Sequence, residues 1–233
     1  MSEVPRGFAD RLRRATTPDH QHAESSSFLE RLVAGELDVA AYRLLTVQHL
    51  AIYRALESGA AALRDDPVVG ALHDPALVRV PSLEADLAWL GQQGVGRPVG
   101  GGADRGERLE DEVLPATGRY TDRITEVARV WPAGFVAHHY TRYLGDLSGG
   151  LHLGRLLDRW LGGGTTFYRF ERIRSPKRFK DAYRATLDAA PWDEHEQRRI
   201  IDEVSRAYAW NREVFAALAA HTDVRAVAAD APA

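Results

Sequence analysis

The sequence predicts an all-α, single-domain protein. Apolar residues recur at three- and four-residue steps in one segment after another, as amphipathic helices require. No alternating pattern long enough for a strand appears, and no internal repeat. Helix-start signals such as Thr17-Pro18, Ser175-Pro176 and Asp193 sit between these segments, with glycine or proline runs closing them.

Phe8, Leu12 and Ala15, with Arg11, Arg13 and Arg14 between them, predict a short basic helix. Thr17 as N-cap, Pro18 at the first position and Asp19 in the first turn predict a second, carrying His20 to Leu32 and ending near Gly35. Asp38 is placed to cap a long helix from about Val39 to Leu63, with Tyr42, Leu45, Leu50, Tyr53 and Leu56 for the core. Asp65-Asp66-Pro67 breaks the pattern, and Leu72, Leu77 and Val80 mark a weakly structured passage. Pro81-Ser82 opens a helix over Leu83, Leu87 and Leu90, with Ser82 as N-cap. Residues 91–108, centred on Gly100-Gly101-Gly102, read as a flexible excursion. Thr117 is expected to cap a helix to Val130, which Trp131-Pro132 separates from a glycine-laden helix. Gly162-Gly163-Gly164 ends the latter. Thr165 to Phe170 reads as a short extended passage, and Ser175-Pro176 opens another helix. Asp193 caps the last one, from Glu194 to about Ala220. The domain is expected over residues 1–223, with 224–233 a disordered tail.

Composition narrows the functional classes. With 233 residues, 45% apolar and 27% charged, the chain can bury a sizeable core. A formal net charge of -3 gives no electrostatic reason to expect a nucleic-acid partner. The absence of cysteine excludes disulfides, thiolate metal sites and cysteine nucleophiles. Met1 to Arg6 lacks the apolar core of a signal peptide, and no apolar run is long enough to span a bilayer. The expectation is a cytoplasmic protein without a membrane partner.

The glycine-laden helix carries the first chemical signal. Tyr140-Thr141-Arg142-Tyr143-Leu144-Gly145-Asp146-Leu147-Ser148-Gly149-Gly150 holds three glycines, each costing about 1 kcal/mol relative to alanine in a helix interior. Gly145 and Gly149 share a face, with Gly150 beside them. Such a stripe permits either close helix packing or the approach of a flat ligand, and spacing alone leaves both open. Of nine histidines, His49, His73, His152, His195 and His221 have no titratable partner at an informative spacing. His138 and His139 are adjacent, so at most one can face a given site. There is no HExxH motif and no paired Glu-x-x-His set for a di-iron bundle. His20 shares a face with Ala23, Glu24 and Phe28; a core or capping role and a ligand role both remain open. The two lysines, Lys177 and Lys180, align with Arg184 in a cationic stripe, either a solvated surface or a site for an anion.

Three of these segments together resemble the heme oxygenases. His20-Gln21-His22-Ala23-Glu24 resembles their proximal H-x-x-A-E motif. Tyr140 to Gly150 is similar to their distal-helix signature nearly letter for letter. Pro176 to Arg184 resembles their later propionate-binding helix, and the likeness runs from about Phe8 to Leu218. The resemblance implies heme b held between a proximal helix and a kinked, Gly-rich distal helix. It makes His20 the axial ligand, with Glu24 one turn away, and sets Gly145 and Gly149 against the distal face, with Gly150 at the kink. It makes Asp146 the organiser of distal water that delivers protons, with Arg142 fixing that network. Lys180, Arg184, Tyr140 and Arg13 become propionate contacts, and Phe179 and Tyr208 pack on the porphyrin edge. The implied reaction takes heme, dioxygen and electrons from a reductase or ferredoxin to biliverdin, ferrous iron and carbon monoxide. A heme carrier or sensor, or a helical protein acting on another small molecule, would keep the architecture without the chemistry; Asp146 favours the enzyme, because binding alone needs no distal carboxylate.

Overall fold

The structure is a computed structural model that describes residues 7–93 and 109–229, without the side chains of Glu24 and residues 224–229. The described residues form α-helices joined by short turns, with no strand among them. The excursion expected at 91–108 lies outside them from residue 94 onward, as do the last residues of the expected tail, 230–233; Gly91 and Gln92 still belong to a helix.

The first helices prepare one wall of the site. Phe8, Ala9 and Leu12 bury the inner face of α1 (Phe8–Ala15), and Asp188 accepts from the Ala9 N–H at 2.8 Å. α2 (Thr17–Glu24) starts one residue earlier than expected: Thr16 holds the N-cap position, and Thr17 is already helical, its hydroxyl turned back to the Arg13 carbonyl. The single helix expected as far as Gly35 is two. Ser25 and Ser26 interrupt it, serines being side chains that bond nearby backbone in non-helical geometry, and the Ser25 hydroxyl donates to the His22 carbonyl at 3.2 Å. α3 (Ser27–Val33) follows, and Gly35 ends it at φ 75°, where a side chain would be strained.

α4 (Val39–Ala62) is the central helix. Asp38 caps it as expected, accepting from the Ala41 N–H at 2.8 Å. Leu45, Leu50, Ile52, Tyr53 and Leu56 are fully or almost fully buried along its length. Its polar side chains begin two other helices. Glu57 accepts from the backbone N–H groups of Arg79 and Val80, at the start of α6 (Val80–Gln92), which follows the short α5 (Val69–Leu72). Gln48 accepts from the Leu114 N–H at 2.8 Å, at the start of α7 (Pro115–Val130). Caps supplied from a third helix displace the expected ones. Ser82 and Thr117 therefore lie inside their helices, where orphan N–H groups need no local cap.

The glycine-laden segment is one path with a defect in its middle. α8 (Pro132–Gly145) passes into a π-helical turn over Asp146–Gly150 and then into α9 (Leu151–Leu161), which Gly162 ends at φ 72°. A π turn widens the ladder by one residue and redirects the chain, a common device at functional sites. Thr165 to Phe170, expected to be extended, instead contains a 3-10 turn at Thr166–Tyr168. Asp86 of α6 folds it by accepting from the Thr166 and Phe167 N–H groups, both at 2.8 Å. Ser175 caps α10 (Pro176–Ala189), and Asp193 accepts from the Glu196 N–H at 2.8 Å at the start of α11 (Glu194–Ala229), which runs past the expected Ala220.

α4 packs on α6 and α7, while α11 packs on α8, α7, α2 and α3. A buried ionic cluster ties three of these together. Arg123 of α7 donates to both oxygens of Glu203 on α11, each at 2.8 Å, and His138 of α8 lies 3.0 Å from the same carboxylate. The arginine and histidine hold the Glu203 carboxyl down at about 2 against the opposing effect of its burial. Removing one partner of a buried pair strands the other charges. Glu203→Ala should therefore lose about 3–5 kcal/mol in urea unfolding at pH 7; a loss below about 1 kcal/mol would show the cluster to be solvated enough to matter little.

Candidate active site

Two adjoining cavities lie where α2 and α3 meet the α8–π–α9 path. The larger, about 600 Å³, is walled by His20, Ala23, Leu29 and Val33 from α2 and α3. Gly145, Asp146, Gly149, Gly150, Leu153 and Leu156 line it from the glycine-laden path, with Tyr208, Asn211 and Phe215 contributed by α11. The smaller, about 230 Å³, has Arg13, Thr16, Tyr140, Ser148 and Arg184 in its walls. His20, Gly145 and Tyr208 line both, so the two volumes are one slot with an apolar body and a cationic end. Such a shape suits a flat, mostly apolar molecule carrying anionic groups on one edge.

The glycines divide the work between them. A Cβ placed on Gly145 would meet nothing within 4 Å, so that position opens into the slot. One on Gly154 would come within 2.3 Å of the Tyr168 Cβ, so that glycine serves packing instead. On Gly150 it would sit 3.4 Å from the Asp146 Cβ, inside the π turn. Packing thus accounts for Gly154, further along the path, and leaves Gly145 open to the slot.

His20 stands in the slot with its ring edge-on to Tyr208, centroids 5.7 Å apart. Asp146 is part-buried in the wall, and the Tyr53 hydroxyl of α4 donates to its Oδ2. Desolvation pushes the Asp146 carboxyl above the ordinary carboxylate range, against the pull of the Arg142 charge and the Tyr53 hydrogen bond. Arg142 is anchored by a 2.7 Å bond from its guanidinium to the Asn211 Oδ1 of α11 and lies 5.1 Å from the Tyr53 ring centre. Asp146, Tyr53, Arg142 and Asn211 thus gather side chains from three helices.

At the cationic end, desolvation raises the Tyr140 hydroxyl pKa against the fields of Arg184 and Arg13. Lys180 lines neither cavity but reaches Ser148, which does, at 2.8 Å. Desolvation, then Arg184, lowers its ammonium pKa. Lys177, at the outer end of the stripe, is exposed and pairs with Asp181 at 3.0 Å. Phe179 lines neither cavity and packs, half-buried, against the core. The side chain of Glu24 lies outside the described residues.

Sequence reasoning missed Tyr53, taken as plain core, and Asn211, Tyr168 and Phe215. It set aside His49 and His152, which both line the slot. The residues that share the slot with them come from other parts of the chain, so no spacing along it reveals them. His138 and His139 do diverge as adjacency demands, to Glu203 and to the Tyr183 hydroxyl at 2.9 Å, and neither lines the slot. No group of three or more His, Asp or Glu placed to hold a metal occurs among the described residues.

Fold and site together make an all-helical slot shaped for a flat ligand, with His20, His49 and His152 and the carboxylates of Glu30 and Asp146 in its walls. The family model for heme oxygenase matches residues 6–217. Heme oxygenase 1 of Synechocystis sp. is 34% identical over 211 residues, covering 89% of this chain and 83% of that protein. The heme oxygenase of Pyropia yezoensis is 34% identical over 212 residues, covering 89% and 84%. Among solved structures, heme oxygenase-1 from Synechocystis in complex with heme superposes with a TM-score of 0.81 at 32% identity, covering 96% of each chain. The chain belongs to the heme oxygenase family.

Gly145→Ala separates fold from site. With open space at the new Cβ, the substitution should keep or raise stability, by up to about 1 kcal/mol, since alanine outranks glycine in a helix. The same methyl enters the slot, so affinity for a flat ligand should fall. Thermal unfolding and ligand titration of one variant check both halves.

Proposed function

We propose that this protein is the enzyme that opens heme oxidatively to biliverdin, ferrous iron and carbon monoxide, using dioxygen and external electrons. The observation that carries the reading is the slot itself: His20 and Gly145 line one apolar cavity whose far end is cationic. Its residues fit heme in three respects. There is an imidazole to hold the iron, a glycine face with no side chain in the way, and arginines beside a tyrosine where two propionates would lie.

Bound heme supplies iron chemistry toward dioxygen and is itself the molecule cleaved. The chain's own residues hold, orient and protonate. His20 would hold the iron through a ring nitrogen, with the Tyr208 ring edge-on beside it to limit the swing of the imidazole. Gly145 and Gly149 would leave room for the flat face of the heme, with Gly150 at the bend. Asp146, tethered by Tyr53, is kept as an acceptor that orders water and passes protons, with Arg142 fixed behind it by Asn211. Its elevated pKa brings it nearer to exchanging protons at neutral pH than an ordinary aspartate. Arg13, Tyr140, Lys180 and Arg184 receive the propionates, each charge-assisted bond contributing roughly 1.5–3 kcal/mol before solvent screening. Glu24 is assigned to the proximal side. An electron-donating reductase or ferredoxin is the partner in this reading, and the cytoplasm its location; among the described residues no helix is long and apolar enough to cross a membrane.

Heme added to the protein should give a Soret shift, and an electron source under air should then bleach that band as biliverdin appears. A Soret band that persists under those conditions identifies a carrier or sensor, and no shift at all removes heme from consideration. His20→Ala should weaken or abolish axial ligation. Asp146→Ala should retain heme while biliverdin formation falls by about 100-fold or more, the lower range for loss of a positioned proton carrier; turnover at the parental rate would refute the relay.

A further inference from the structure

Two histidines of the slot have no role in this reading, and of them His152 is exposed while His49 is buried. His49 lies on α4 one turn before Tyr53, so the two share a face. It is only 7% exposed and lines the larger cavity with Asp146 and Arg142. Its ring rests against Phe167, centroids 5.0 Å apart, and Tyr168, at 6.5 Å. Neither ring nitrogen has a hydrogen-bond partner among the described residues. Burial, with help from the Arg142 charge, holds its pKa well below the ordinary histidine value, so the ring is neutral, with one donor and one acceptor nitrogen.

Two more polar atoms nearby lack a partner. The Tyr168 hydroxyl is buried without one in a residue only 4% exposed, and so is the Nε of Arg142. A buried polar atom left unmet costs about 1–3 kcal/mol. Two of them beside the cavity that His49 also lines point to a small polar occupant. Water suits a site of this kind, since it can bond two or more such groups at once.

We propose that His49 is a positioning residue that holds a water molecule in the slot, extending the Tyr53–Asp146–Arg142–Asn211 group with a second hydrogen-bonding point on α4. The water on the imbidazole side is then ordered by a group that can both donate and accept, and Asp146 draws protons from an aligned neighbour rather than from bulk solvent. His49 touches neither heme nor dioxygen in this arrangement. The proposal rests on the heme-cleaving reading of the slot.

The test compares wild type, His49→Phe and His49→Gln. Phenylalanine keeps the ring packing and removes both nitrogens, while glutamine restores a donor and an acceptor. His49→Phe should bind heme with unchanged affinity by Soret titration but form biliverdin roughly tenfold more slowly, below the range of a direct acid–base group. His49→Gln should recover most of that rate. A high-resolution crystal structure of the heme-free protein should show an ordered water on a His49 nitrogen, lost in His49→Phe. Unchanged turnover in His49→Phe, equal loss in both variants with intact thermal unfolding, or a dry imidazole would each overturn the proposal. Failure of wild type to shift the Soret band is a different signature and overturns the heme reading beneath it.

Discussion

The site depends on the hydrogen bond from Tyr53 to Asp146. A carboxylate in the wall of an apolar slot is costly, and left alone it would either take up a proton or swing toward any cation within reach. Tyr53 restrains the oxygen from behind, while Arg142 supplies opposite charge without a direct bond to it, being committed to Asn211 instead. The result is a carboxylate held back from the centre of the slot yet still able to accept from water.

The same bond explains why α4 is so heavily used. Glu57 starts α6, Gln48 starts α7, and Tyr53 holds the π turn between α8 and α9. Polar groups buried on the central helix are thus met by the ends or breaks of its neighbours, which need partners of their own. Any shift of α4 along its axis would undo both caps and move Asp146 together. Rigidity of the wall that carries Asp146 follows from this sharing, since side chains that shape a site are held best by rigid neighbouring elements.

Much of this was legible in the residue order, and the limits have a physical pattern. The all-α fold, the Asp38, Ser175 and Asp193 caps, and the left-handed Gly162 follow from signals local to a few residues. The expected caps at Thr17, Ser82 and Thr117 fail where a neighbouring helix or a preceding turn meets the backbone first. Likewise Thr165 to Phe170 has a strand-like composition, but Asp86 folds it into a turn through three hydrogen bonds. His20, Gly145 and Asp146 were readable because a dense motif surrounds them. Tyr53 and Asn211 were not, because their meaning lies in contacts across about 90 and 70 residues of chain, which no spacing rule reaches.

The glycine stripe shows why the two ends of the distal path differ. Gly154 lets Tyr168 pack against α9, and Tyr168 in turn sits beside Gly150 and the π turn. Gly145 gains nothing from packing, since its side is open, and so its helix-weakening cost must be offset by what enters the slot. One path therefore contains a glycine that packing requires, Gly154, and one that packing does not, Gly145. The π turn stands between them and carries Asp146, so the bend that makes room for a flat ligand also aims the carboxylate beside it. The opening at Gly145 and the placement of Asp146 both depend on this one backbone defect, so neither could be altered without disturbing the other.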